Sequence, residues 1–350
     1  MPASWNELDS RAISTAKILA ADAVERVGNG HPGAAISLAP AAYALYQHHL
    51  HLDPTDPHWL GRDRFILSSG HSSLTQYLQL YLAGMGVELE DLKALRTEGA
   101  LTPGHPEFGH TPGVELTTGP LGTGLASAVG FAMAERFTHG LLDPDTPHGQ
   151  SIFDHCVYVI AGDGCLQEGV SAEASSLAGT QKLGNLIVLW DDNRISIEGD
   201  TDIAFSEDVL KRYESYGWHI QRVDWLNEDG SYVEDVQGLD KALDAARDNT
   251  DQPSIIALQT IIGWPTPEKS NTGGIHGAKL GEDALRGLKL ALGADPDAHF
   301  AVDEEAVAHS RKQFAQRAQV LRDHWNQRFE QWRKANPDRA ALLERLRQGG

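Results

Sequence analysis

Cys156-Val157-Tyr158-Val159-Ile160-Ala161-Gly162-Asp163-Gly164 is an apolar run ending in a glycine-flanked carboxylate, and Asn185-Leu186-Ile187-Val188-Leu189-Trp190-Asp191-Asp192-Asn193 is its counterpart. A continuous apolar run, as opposed to an alternating one, marks a parallel strand covered on both faces. Between the two, Glu168 to Lys182 has helical composition and supplies the crossover that a right-handed βαβ unit requires. Two neighbouring strand tips then open on one crevice, where an open parallel sheet presents helix N-termini and free backbone N–H groups to ligands. The fold class is therefore α/β, with a mostly parallel central sheet and helices on both faces.

The flanking sequence continues this grammar. Arg64 to Ser68 reads as a short buried strand entering the polar turn Ser69-Gly70-His71-Ser72-Ser73, and Leu74 to Leu82 reads as a helix. Thr111 to Gly124 is a Gly/Pro/Thr-rich loop before a small-residue helix from Leu125 to Phe137, and Gly140 to Gly149 is polar and proline-rich. Ser254 to Thr260 is a further buried strand, preceded by a covering helix at Leu239 to Arg247. The opening segment, Asn6 to Val27, repeats apolar residues at helical spacing and stops at Gly28-Asn29-Gly30, with Pro32 suited to the first turn of the next helix. From Asp303 to Arg347 the chain is charged and helical; Trp325 and Trp332 share one face there, as ordinary packing residues. The expected division is a domain over 1–300 and a charged helical extension over 301–350.

Composition excludes several functions. Across 350 residues, 29 basic residues face 49 acidic ones, a net charge of −20 and the wrong sign for nucleic acid or an anionic membrane. An anionic ligand would need a metal ion or aimed backbone dipoles to offset that excess. The two cysteines, Cys156 and Cys165, form no disulfide framework, and no apolar run reaches membrane-spanning length, so a cytoplasmic protein is expected.

At the crevice, Asp163 and the Asn193 amide are hard oxygen ligands suited to Mg²⁺, and the Ile195 carbonyl offers a third. Gly162 and Gly164 allow backbone to approach phosphates. Gly-Asp-Gly alone is most often a turn; its pairing with an asparagine after the next strand makes it specific. His31, His71, His105 and His276 each sit in a Gly- or Pro-flanked turn that no helical or strand periodicity explains. Neutral imidazoles there can donate, accept and shuttle protons.

These segments together resemble the amino-terminal, diphosphate-binding domain of transketolase. The matching stretches are Gly30-His31-Pro32-Gly33, Ser69-Gly70-His71, Thr102 to Glu107, Thr117 to Gly122, Gly162 to Gly169, Asp192-Asn193 and Ile275-His276-Gly277, in the family's order and over nearly the whole chain. The resemblance implies a thiamine-diphosphate-binding fold with a helical C-terminal tail, and thiamine diphosphate and Mg²⁺ as cofactors. By it, Asp163, Asn193 and Ile195 hold the metal, and His71, His276 and Gly164 lie at the cofactor. Gly119 and Leu121 hold the aminopyrimidine by backbone groups, and His31 and His105 contact substrate hydroxyls. Glu168 matches a carboxylate linking two active sites across a subunit boundary, although a helix-start carboxylate suits the same position. The family commonly has another histidine a few positions before His276, where this chain reads Asn271-Thr272-Gly273-Gly274.

The implied reaction moves a two-carbon glycolaldehyde unit from a ketose phosphate to an aldose phosphate. The pyrimidine-binding domain, with the glutamate that touches the aminopyrimidine, has no counterpart in this sequence, so a complementary subunit or a longer chain is expected to complete the site. A homodimer or heterotetramer is the expected assembly. A related thiamine transferase acting on another substrate, and a non-catalytic binding module, stay open at this level.

Overall fold

The computed structural model of the chain describes residues 5–197 and 199–349. It opens with α1 (Glu7–Val27), α2 (Pro32–Ser37) and α3 (Ala39–Ala44), followed by strand β1 (Arg64–Leu67). Next come α4 (Leu74–Ala83), α5 (Leu89–Lys93) and, beyond a long loop, α6 (Thr123–Leu142). Strand β2 (Val157–Gly162), the short α7 (Asp163–Gln167), α8 (Gly169–Thr180) and β3 (Leu186–Asp192) form the central βαβ unit. A ribbon of β4 (Ile195–Ser196) and β5 (Gly199–Asp200) leads to α9 (Val209–Ser215), β6 (His219–Asp224), α10 (Val236–Asp248) and β7 (Ser254–Gln259). Helices α11 (Glu282–Ala291), α12 (Glu304–Ala335) and α13 (Pro337–Arg347) follow.

The sheet has the order β1-β2-β3-β7-β6, and every pairing in it is parallel. Strand periodicity divides its side chains between two layers. Tyr158, Ile160, Ile187, Leu189, Ile256 and Leu258 enter the core shared with α1 to α4, α10 and α11. Val157, Val159, Leu186, Val188, Ile255 and Ala257 enter a second core with residues of α6, α8 and α9. Both faces are thus dry, which is why these strands read as continuous apolar runs.

Local signals set the helix ends. Asn6 caps α1 through the N–H groups of Leu8 and Asp9, Asp9 reciprocates on the Asn6 N–H, and Gly28 ends the helix at φ 78°. Inside this layer Asp22 of α1 and Lys289 of α11 form a fully buried ion pair at 2.7 Å. The segment beyond residue 300 is helical as expected, and the first half of α12 belongs to the main core through Ala306, Val307 and Phe314. Further along, Trp325, Phe329 and Trp332 stack in series, with Trp332 against Phe153 at 4.8 Å.

Three elements differ from expectation. Helix α6 runs on to Leu142, through the start of the stretch read as a polar turn. The crossover gains a first turn, α7, that begins at Asp163 itself. Strand β6 is an additional edge strand, polar enough along its length to carry no apolar run. Among the described residues no helix is long and apolar enough to cross a membrane.

Candidate functional site

The carboxyl ends of β1, β2 and β3 and four loops converge on one crevice. Gly162 pairs with Asp191 across the β2–β3 ladder, so Asp163 and the Asp191-Asp192-Asn193 run leave the sheet side by side. Asp163 accepts the Trp190 indole N–H on Oδ1 and the Arg194 backbone N–H on Oδ2, both at 2.9 Å, which brings its carboxylate to the turn carrying Asn193. Asn193 donates its amide to Asp191 Oδ2 at 2.8 Å and accepts the Ile195 N–H on Oδ1 at 2.9 Å. Ile195 opens the β4–β5 ribbon just beyond.

Neighbouring loops pack directly on this pair of strand tips. A Cβ at Gly164 would stand 2.9 Å from Leu121 Cδ1, whereas one at Gly162 would meet nothing nearer than Ser69 Cβ at 3.9 Å. Open space therefore lies above Gly162, while Gly164 is small because Leu121 presses on it, a packing reason that the phosphate argument had not supplied. Gly70 approaches Thr118 as closely, with a Cβ there falling 2.6 Å from Oγ1. The turn at Gly273 packs on the ribbon, close to the Ile197 carbonyl and Gly199 N–H.

The four histidines form one group. Ring centroids of His31 and His71 lie 5.0 Å apart, those of His71 and His276 5.1 Å, and those of His31 and His276 5.6 Å. His105 stands beside Gly119, at 3.5 Å from a Cβ built there. Burial, followed by the charge of His276, pushes His31 down to about 4 and His71 down to about 3. His105 and His276 are lowered as well, chiefly by burial, so neutral rings line the crevice at neutral pH. His31 Nδ1 is buried without a hydrogen-bond partner.

Arg96, which no sequence signal marked, acts on His31 and His105 and is the cation of this group. It occupies a left-handed turn, φ 59°, with its guanidinium against Gly104. Glu168 behaves differently from the other candidates. It is exposed, it opens α8, and its side chain touches Gly122; it is not among the groups acting on the four histidines. The break between α7 and α8 turns it outward, a position that suits both the expected subunit boundary and a helix-start carboxylate.

The donor set fits a hydrated divalent cation. Burial and the charges of Asp191 and Asp192 push the Asp163 carboxyl up to about 8, and burial pushes Asp191 up to about 6. Three crowded carboxylates beside an amide oxygen call for a hard cation. Nearby Arg222 and Arg194 are engaged by Asp192, at 3.3 and 3.7 Å.

Fold and crevice first define a class: an open parallel α/β domain that holds a phosphorylated cofactor at its strand tips, of the thiamine-diphosphate-binding kind. The chain belongs to the transketolase family, since the profile described as "Transketolase, thiamine diphosphate binding domain" matches residues 8–350. It is 56% identical over 345 residues to the transketolase of Mycobacterium bovis, covering 99% of this chain and 48% of that protein. Against the Geobacillus stearothermophilus transketolase it is 43% identical over 344 residues, 98% of this chain and 50% of the other. A crystal structure of Pichia stipitis transketolase in complex with sedoheptulose 7-phosphate superposes with a TM-score of 0.89 at 44% identity, covering 97% of this chain and 48% of that one. The chain thus spans about half the length of the relatives it matches. Thiamine diphosphate and a divalent metal are the cofactors that go with this family.

Proposed function

We propose that this chain is the cofactor-holding part of a transketolase, which transfers a two-carbon glycolaldehyde unit from a ketose phosphate to an aldose phosphate. The observation that carries the reading is the convergence of Asp163 and the Asn193 turn at adjacent strand tips, together with the mutual contact of His31, His71 and His276. In this reading Asp163, Asn193 Oδ1 and the Ile195 carbonyl ligate Mg²⁺, and the open backbone at Gly162 receives the diphosphate, with Gly164 beside it packed under Leu121. His71 and His276 border the cofactor, and Gly119 and Leu121 support the aminopyrimidine through backbone groups. When bound, thiamine diphosphate supplies the nucleophilic carbon for breaking and remaking a bond beside a carbonyl. His31 and His105, held neutral, hydrogen-bond substrate hydroxyls and move protons among them.

A second unit completes the site in this proposal, either a separate subunit or a further part of a longer chain, and contributes the glutamate that meets the aminopyrimidine. Residues 1–300 would then form the cofactor domain and 301–350 the helical connection that begins inside its core. Self-association is supported by exposed apolar side chains on α6 and α8: Phe137, Met133, Leu177 and Val170. Glu168, exposed at the same rim, would face a partner there. Two unpaired cysteines favour a cytoplasmic setting.

Calorimetric titration of thiamine diphosphate with and without Mg²⁺ tests the reading. Asp163→Ala and Asn193→Ala are each expected to abolish metal-dependent binding; an affinity equal to the parent's would instead make this fold a non-catalytic module.

A further inference from the structure

Far from the crevice, at the amino-terminal ends of β2 and β3, the carboxyl end of α6 and the loop entering β2 assemble a second cluster. Glu135 and His139 lie one turn apart on α6 and therefore share a face. His148 and Asp154 come from the loop that follows. One ligating atom from each of His139, His148 and Asp154 falls within 4.8 Å of the others. The rings of His139 and His148 lie 4.5 Å apart.

The hydrogen bonds fix which atoms face inward. His139 Nε2 is 2.8 Å from the Thr146 carbonyl, which only accepts, so Nε2 carries a proton. This leaves Nδ1 directed at Asp154 Oδ1, at 2.6 Å. In a neutral ring that Nδ1 is a lone pair, and two acceptors at this distance require a positive centre between them. A carbonyl on the outer nitrogen is also the arrangement that orients a metal-ligating histidine. Glu135, 3% exposed, accepts the Asn185 amide N–H on Oε2 at 2.7 Å and packs its carboxyl beside that of Asp154, as a neighbour of the three ligating groups.

The surroundings are built to hold these groups still. Asp143 accepts the hydroxyls of Thr146 and Ser151, and the Ser151 N–H binds the second oxygen of Asp154 at 2.8 Å. A cavity of about 500 Å³, lined by Glu135, His148 and Asp154 among others, gives access from solvent.

We propose that His139 Nδ1, His148 and Asp154 form a binding site for one borderline divalent cation of the zinc type, clasping the end of α6 to the 143–154 loop. Two imidazoles with one carboxylate suit zinc over magnesium, and three protein ligands leave the fourth position to water. Tetrahedral bonds of about 2.1 Å would widen the His139–Asp154 contact to about 3.3 Å. His148, on an exposed loop, is free to swing in.

The untagged full chain, stripped with chelator, is titrated with Zn²⁺, with Co²⁺ as an absorbing probe of histidine ligation. The parent is expected to take up one tight equivalent, with a rise in melting temperature. His148→Ala, which alters only an exposed side chain, should weaken that equivalent at least about tenfold and erase the cobalt spectrum. Asp163→Asn should leave it unchanged, which separates this site from the crevice. Equal affinities of the parent and His148→Ala, or no tight equivalent in the parent, would overturn the proposal and leave His139 and Asp154 as an imidazolium–carboxylate pair.

Discussion

At His31 and His71 the protein withholds charge from rings that would titrate near 6.5 in an unfolded chain. Their folded values lie below that, so between about pH 6.5 and about pH 4 the unfolded chain binds more protons and stability declines as pH falls. Urea midpoints should drop from about pH 7 to about pH 5 in the parent and drop less in His71→Asn; equal drops in both proteins would clear the histidines of responsibility. The same residues were legible in the sequence, because a histidine in a glycine- or proline-flanked turn has no role in a helix stripe or a strand face. Arg96 was not legible: it belongs to no motif and reaches His31 and His105 only through a left-handed turn after α5. The outward direction of Glu168 depends on a helix break between α7 and α8 that composition does not encode.

Among elements, the tightest joint near the crevice is where α6 begins. A Cβ at Gly124 would fall 2.5 Å from the Ser68 Cα, and the Ser68 hydroxyl accepts the Leu125 N–H at 3.0 Å, so the helix start and the end of β1 touch backbone to backbone. Gly124→Ala should cost about 1–3 kcal/mol, as overpacking against a rigid neighbour does, with a lower urea midpoint as the readout. Cofactor affinity should fall with it, since the Thr118 to Gly122 loop hangs from the same joint. The buried strands β2, β3 and β7 were readable because burial on both faces demands uninterrupted aliphatic residues. Edge strand β6 offers one neighbour and carries His219, Gln221, Arg222 and Asp224, so a strand pattern is hidden under polar side chains. The β4–β5 ribbon, two residues to a side, is too short for any periodicity.

Across the whole molecule, α12 and α13 act as a strap whose far end is pinned by aromatic stacking. Trp332→Ala, removing a side chain packed on Phe153 and Phe329, should destabilise by about 3–5 kcal/mol, measured by urea unfolding. The outer surface of α6 and α8 carries Phe137 at 71% exposure with Met133, Leu177 and Val170 also exposed. Phe137→Asp is expected to shift an associated species towards single chains in analytical ultracentrifugation, and an unchanged distribution would remove this face from the proposed assembly. The crevice floor crowds the carboxyls of Asp163, Asp191 and Asp192, its adjoining arginines are already engaged by Asp192, and the neighbouring imidazoles carry no charge at neutral pH. A diphosphate would therefore be repelled unless its cation came too, and by reciprocity each must strengthen the other's hold by the same factor. Under the proposed function, such a protein reads the product of two supplies: a cell short of magnesium would find it vacant however plentiful the vitamin.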